Sequence, residues 1–160
     1  MNAADVRLVF TAEDTTVAAD LLDAFNREFD TPTPGPDAIA TRLATLLGEQ
    51  TTFALVVALP DSGDIVGIAL VTLRTNVWCQ GWVGLLDELY VVPEHRNRGL
   101  GTALLRAAEA ELVARGGELL EIGVDGEDVD AQRFYERHGY VDHDEWCDLP
   151  SKMYFRELAS

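Results

Sequence analysis

Three apolar, β-branched runs follow one another between Thr52 and Val92, and the links between them are too short to hold a crossover. TFALVVAL (52–59) and IVGIALVTLRT (65–75) are joined by PDSGD, and WVGLLDELYVV (82–92) follows after NVWCQG and closes at Pro93. Parallel neighbours need a connection of roughly a dozen residues or more. A link such as PDSGD makes a hairpin instead, so the middle of the chain reads as an antiparallel meander.

Helical patterns surround this meander. Val6–Thr11 (VRLVFT) reads as a first strand, and from Glu13 to Phe29 apolar residues recur at helical spacing: Val17, Leu21, Leu22, Phe25 and Phe29. DTPTPGP, with three prolines, is a turn, and its last residue, Pro36, suits the first turn of a second helix ending near Gly48. Gly99–Arg115 carries the clearest helical stripe (Leu100, Ala103, Leu104, Ala107, Ala108, Leu112) and stops at Gly116-Gly117. Glu118–Val124 reads as a strand and Val129–His138 as a helix, with closing strands at Tyr140 and at Met153–Phe155. The order predicts one mixed α/β (α+β) domain over residues 1–160, with a largely antiparallel sheet and about four helices.

Composition bounds the function. Apolar content of 48% and charged content of 25% fit a globular chain, and no apolar run is long enough to span a membrane. The N-terminus lacks a signal-peptide pattern, which makes the cytoplasm the expected compartment. A net charge of -16 argues against nucleic-acid binding and permits a cationic partner, solubility being the other use of such a surface. Cys79 and Cys147 lie far apart, and with three scattered histidines they form no metal-ligand spacing, so no metal is expected.

One stretch reverses the acidic trend. EHRNRGLGTALL (94–105) places two arginines and two glycines at the mouth of a helix. The first N–H groups of a helix lack intrahelical acceptors, and the macrodipole adds partial positive charge there. Gly99 and Gly101 let an anion approach the backbone, Arg96 and Arg98 add charge, and Thr102 can add a hydroxyl. Neither the Walker A loop, which needs a lysine here, nor the dinucleotide fingerprint, which needs a third glycine at Leu104, is present.

The flanking residues narrow the choice. DELYVVPEHRNRGLGTALL resembles motif A of the GNAT superfamily of N-acetyltransferases, in which a strand leads into Arg/Gln-x-x-Gly-x-Gly/Ala at a helix start. DVDAQRFYERHGY resembles its motif B through Ala131, Phe134, Tyr135, Gly139 and Tyr140, with Asp128 where the family often has asparagine. The resemblance runs over nearly the whole chain. It implies a sheet splayed at the cofactor cleft and acetyl-CoA as cosubstrate. The pyrophosphate would lie on Arg96, Asn97, Arg98, Gly99, Leu100, Gly101 and Thr102. Pantetheine would pair along Leu89, Tyr90 and Val91, with an N–H near Val91 polarising the thioester carbonyl. Asp128 falls where the family contacts the cofactor.

Amine acetylation needs a deprotonated nucleophile and a proton for the departing thiolate. Asp87 and Glu88 are adjacent carboxylates in an apolar strand; alternation sends them to opposite faces unless a bulge intervenes. Asp87 is the preferred base, with Glu88 as acceptor ligand or second candidate. Tyr135 matches the general acid of the resembling enzymes, and a phenol with pKa about 10 stays protonated at neutral pH. Asn26, Glu28 and Asp30 could attract a cationic amine, and Phe25, Phe29, Trp78 and Trp82 could wall its site. The expected reaction is direct acetyl transfer in a ternary complex to a small cationic amine, polyamine- or aminoglycoside-like. A protein N-terminus or lysine, a non-catalytic acyl-CoA-binding regulatory module and a nucleotide-phosphate binder are the rivals. The oligomeric state stays open, a homodimer included.

Overall fold

Residues 4–158 are described by a computed structural model. The elements run β1 (Asp5–Leu8), α1 (Ala12–Glu28), α2 (Pro36–Gly48), β2 (Thr52–Ala58), β3 (Ile65–Arg74), β4 (Trp82–Val91), α3 (Leu100–Ala114), β5 (Gly117–Ile122) and α4 (Val129–Arg137), with a 3-10 turn at Pro93–His95 before α3. The five strands form one sheet in the order β1-β2-β3-β4-β5. The first four pair antiparallel, as the short links require, and β5 joins β4 in parallel after the α3 crossover.

Each helix start has a local cause. Thr11 leaves the first strand early to cap α1, its side chain accepting the Asp14 N–H at 3.0 Å. That capping ends β1 at Leu8 rather than at Thr11, although Val9 still donates to the Ala54 carbonyl. Pro36 opens α2 behind Gly35. Asp128 caps α4 by accepting the Ala131 N–H.

The sheet has helices on both faces, which is why all seven residues of β2 are buried. One face carries Ala54, Val56, Ile68 and Tyr90 against Ala18 and Leu21 of α1 and Leu43 of α2. The other packs against α3, whose Leu104, Leu105 and Ala108 are fully buried. Burying such a leucine contributes about 1.5–3 kcal/mol. At the far end of β4 the backbones nearly touch. A Cβ on Gly81 would lie 2.0 Å from the Gly116 carbonyl oxygen, so only glycine fits where β4 and β5 begin to pair.

By its internal contacts the chain divides into two units, one ending at Ile122 and one starting at Gly123. The second unit holds α4, and its described residues beyond the helix form no further strand. The closing strands expected at Tyr140 and Met153–Phe155 are therefore absent among the described residues. The run Met153–Phe155 is only three residues long, it follows Pro150, and the stretch before it is broken by Asp142, Asp144, Glu145 and Asp148. A local turn forms there instead, Ser151 N–H donating to the Asp142 carbonyl at 2.6 Å.

Candidate active site

Register along β4 locates the carboxylates. Glu88 pairs with Leu70 of β3 and Leu86 with Val71, which leaves Asp87 as an extra residue, a β-bulge. Leu70 and Thr72 share one face of β3 because they are two residues apart. Glu88 stands opposite Leu70, and Asp87 accepts a short hydrogen bond from the Thr72 hydroxyl. The bulge thus turns both carboxylates to the same face, the one covered by α1 and α2, since Tyr90 two residues on packs into that core. Thr72 was not legible as a site residue; only the register reveals it.

Crowding tunes the pair. Surrounding protein raises the Asp87 pKa although its surface is largely exposed, and the Thr72 hydroxyl partly offsets the rise. Glu88, half-buried, is pushed up to about 7, first by loss of water and then by the charge of Asp87. Near neutral pH one carboxyl can therefore accept a proton while its neighbour stays charged.

The pairing of β4 with β5 covers Trp82–Leu86 and stops there, so the edge of β4 beyond Leu86 has no strand partner among the described residues. The Val92 N–H donates back to Val66 of β3, so alternation sends the N–H and C=O groups of Leu89 and Val91 to the open edge. An extended amide-bearing chain could add there as a strand does.

The open edge leads into the glycine turn. Asn97 and Gly99 both have left-handed backbone, with φ of 59° and 81°, which swings the chain into α3. Nothing crowds the Cβ position of Gly99, so its backbone angle, rather than space, calls for glycine. Ala103 makes the first backbone bond of the helix, to Gly99, and no side chain caps the turn. Among the four described helices, α3 alone has no carboxylate in its first turn. Leu100 is buried, holding the turn to the core, while Gly101 and Thr102 lie in that first turn. Arg98 is exposed, with no hydrogen bond or ion pair among the described residues.

Arg96 is engaged differently. Its Nε donates to the Val91 carbonyl at 2.8 Å and its Nη2 to Glu28 at 2.7 Å, with the guanidinium 5.5 Å from the Tyr90 ring centre. Phe25 stacks on Tyr90 at 4.9 Å and meets Phe29 edge-on at 5.3 Å; Phe29 is 55% exposed. The Asn26 amide holds the loop after α1 by donating to the Pro32 carbonyl, and Asp30 takes a left-handed turn.

The tryptophans lie elsewhere. Trp78 is 90% exposed in the loop before β4, and Trp82 opens β4, roughly 25 Å along the strand from Tyr90. Trp82 lines a separate open concavity of about 420 Å³ with Glu49, Gln50, Thr51, Leu73 and Arg115. The fold therefore brings Phe25 and Phe29 together with Tyr90 and leaves both tryptophans out. In the second unit, Tyr135 meets Phe134 and Tyr140 edge-on, and the Asp128 carboxylate is occupied as the cap of α4. Among the described residues no cluster of three His, Cys, Asp or Glu is placed to hold a metal ion, and no helix is long and apolar enough to cross a membrane.

Residues 18–140 match the acetyltransferase (GNAT) family. An aminoalkylphosphonate N-acetyltransferase of Salmonella typhimurium is 35% identical over 79 residues, 49% of this chain and 51% of that protein. A streptothricin acetyltransferase of Streptomyces lavendulae is 30% identical over 107 residues, 67% of this chain and 52% of that protein. The chain thus spans about half the length of these two curated relatives. A crystal structure from Arthrobacter sp. FB24, provisionally described as an acetyltransferase, superposes with a TM-score of 0.85 at 42% identity, covering 99% of this chain and 97% of that one.

Proposed function

The chain belongs to the GNAT family of acetyltransferases, and on that premise we propose that it transfers an acetyl group from acetyl-CoA to a small cationic amine. One observation carries the reading: the bulge at Asp87 gathers two carboxylates on one face of β4, where the strand's other edge loses its partner. Donor and acceptor then have distinct places. The α3 N-terminus and Arg98 receive the pyrophosphate of CoA, and the open edge at Leu89 and Val91 receives the pantetheine amides. Phe25 and Phe29, packed beside Tyr90 on the carboxylate-bearing face, wall the acceptor.

Each residue's part in the reaction follows from its environment. Glu88, with a pKa of about 7, is the better matched of the two carboxyls to take a proton from an ammonium group at neutral pH. Asp87, steadied by Thr72, keeps negative charge beside the incoming cation. This exchanges the order expected from the sequence, in which Asp87 is the base. The neutral amine nitrogen attacks the thioester carbonyl carbon, a backbone N–H near Val91 stabilises the oxyanion, and as the C–S bond breaks the nitrogen gives up its second proton to solvent. The motif resemblance assigns Tyr135 the part of general acid toward the departing thiolate, and the phenol then regains a proton from solvent. No covalent enzyme intermediate is needed.

Release of free CoA thiol over a panel of polyamines, aminoglycosides, aminoalkylphosphonates, amino acids and peptides tests this reading. Turnover with small cations is the expected result. Turnover confined to peptides would move the acceptor to a protein, and CoA binding with no turnover on any amine would leave a binding module.

A further inference from the structure

Glu28 stands at the last residue of α1, 68 positions before the arginine it holds. An exposed ion pair of this kind contributes about 0–1 kcal/mol to stability, too little to explain the arrangement by itself. The geometry offers more. The guanidinium fork donates in two directions, from Nη2 to the Glu28 carboxylate and from Nε to the Val91 carbonyl on the open edge of β4. The guanidinium lies over the Tyr90 ring, and the Tyr90 hydroxyl adds to the forces that keep the same carboxylate ionised. Glu28 is held ionised, chiefly by the Arg96 hydrogen bond, and burial together with that carboxylate keeps the Tyr90 phenol protonated.

The path of the chain makes this contact possible. The 3-10 turn at Pro93–His95 reverses direction after β4, and Arg96 reaches back five residues to Val91. The guanidinium therefore closes the loop between the open edge and the glycine turn, and Glu28 sets the angle at which it does so. Arg98, by contrast, is left with its charge unengaged by the described residues.

We infer that Glu28 is a positioning residue for the donor rather than a ligand for the acceptor: through Arg96 it fixes the Val91 edge and the start of the glycine turn relative to α1. This rests on the assignment of acetyl-CoA to that edge and turn. The two arginines of the motif then have separate tasks, Arg98 meeting phosphate and Arg96 shaping the backbone that receives the rest of the donor.

Calorimetric titration with CoA, together with KM for acetyl-CoA and for the best amine, tests the inference on Glu28→Ala and Arg96→Lys. Lysine keeps the charge of Arg96 but cannot donate to Glu28 and Val91 in the same planar fork. Both variants should weaken CoA binding and raise the KM of acetyl-CoA about tenfold, while the KM of the amine moves less than twofold and kcat falls far less than the donor KM rises. A merely structural role would raise both KM values and lower kcat together, overturning the proposal. So would a rise confined to the amine, which would make Glu28 an acceptor ligand. If wild-type protein binds CoA and both variants bind it equally well, the inference fails while the proposed function stands. If wild-type protein does not bind CoA, the proposed function fails and takes the inference with it.

Discussion

Glu88 carries two opposed demands in one side chain. A carboxyl raised to about 7 binds its proton more tightly in the folded state than in the unfolded chain, so its contribution to stability is greatest at low pH and declines as pH rises from about 4.5 through 7. Glu88→Gln removes that titration: the variant should gain about 1–2 kcal/mol over wild type above pH 8, read from urea unfolding at several pH values. The same substitution should lower kcat/KM by roughly 10²–10⁴-fold and abolish the limb of the pH profile near 7. Should the limb survive in Glu88→Gln and vanish in Asp87→Asn, the base is Asp87. Tyr135→Phe should leave CoA affinity within about twofold and lower kcat at least tenfold, measured by titration and by thiol release.

At the level of the element, the turn into α3 depends on backbone angles that most side chains resist. Gly99→Ala forces a Cβ into φ of 81° and should cost about 1–2 kcal/mol in unfolding free energy, with a raised KM for acetyl-CoA as the turn shifts. Most elements were legible because their apolar periods are strong. The stripes of α1 and α3 and the β-rich runs of β2, β3 and β4 begin or end within two residues or so of where periodicity and turn residues set them. The bulge in β4 was not legible. An extra residue in a strand leaves no mark in LLDELYVV and becomes visible only through the partner strand, Leu70 and Val71 facing Glu88 and Leu86. The partner of Arg96 was hidden for a related reason: no local pattern links a motif arginine to a glutamate on a helix far earlier in the chain. Trp82 illustrates the opposite error, a residue grouped with Phe25 by chemical type that the strand's length carries to the other end of the sheet.

Across the whole molecule, a net charge of -16 should act on any cationic acceptor before it reaches Asp87 and Glu88. Raising salt from about 0.05 to 0.5 M shortens the Debye length from roughly 14 to 4 Å, so the KM of a di- or tricationic amine should climb several-fold while that of a monocation changes little. A KM indifferent to salt would mean that the acidic surface serves solubility alone. The sheet also has mechanics that its two ends share. Gly81 meets the Gly116 carbonyl with no room for a side chain, and only beyond Leu86 does β4 run on without β5. If the donor lies along β4 beyond Leu86, as proposed, the strand is a lever pinned at that glycine with the donor at its free end. A displacement at the pin reaches the free end enlarged by the length of the arm. Gly81→Ala should therefore loosen the grip on acetyl-CoA from the end of the strand farthest from where the donor is proposed to lie, a loss visible in KM at temperatures where the protein is still fully folded.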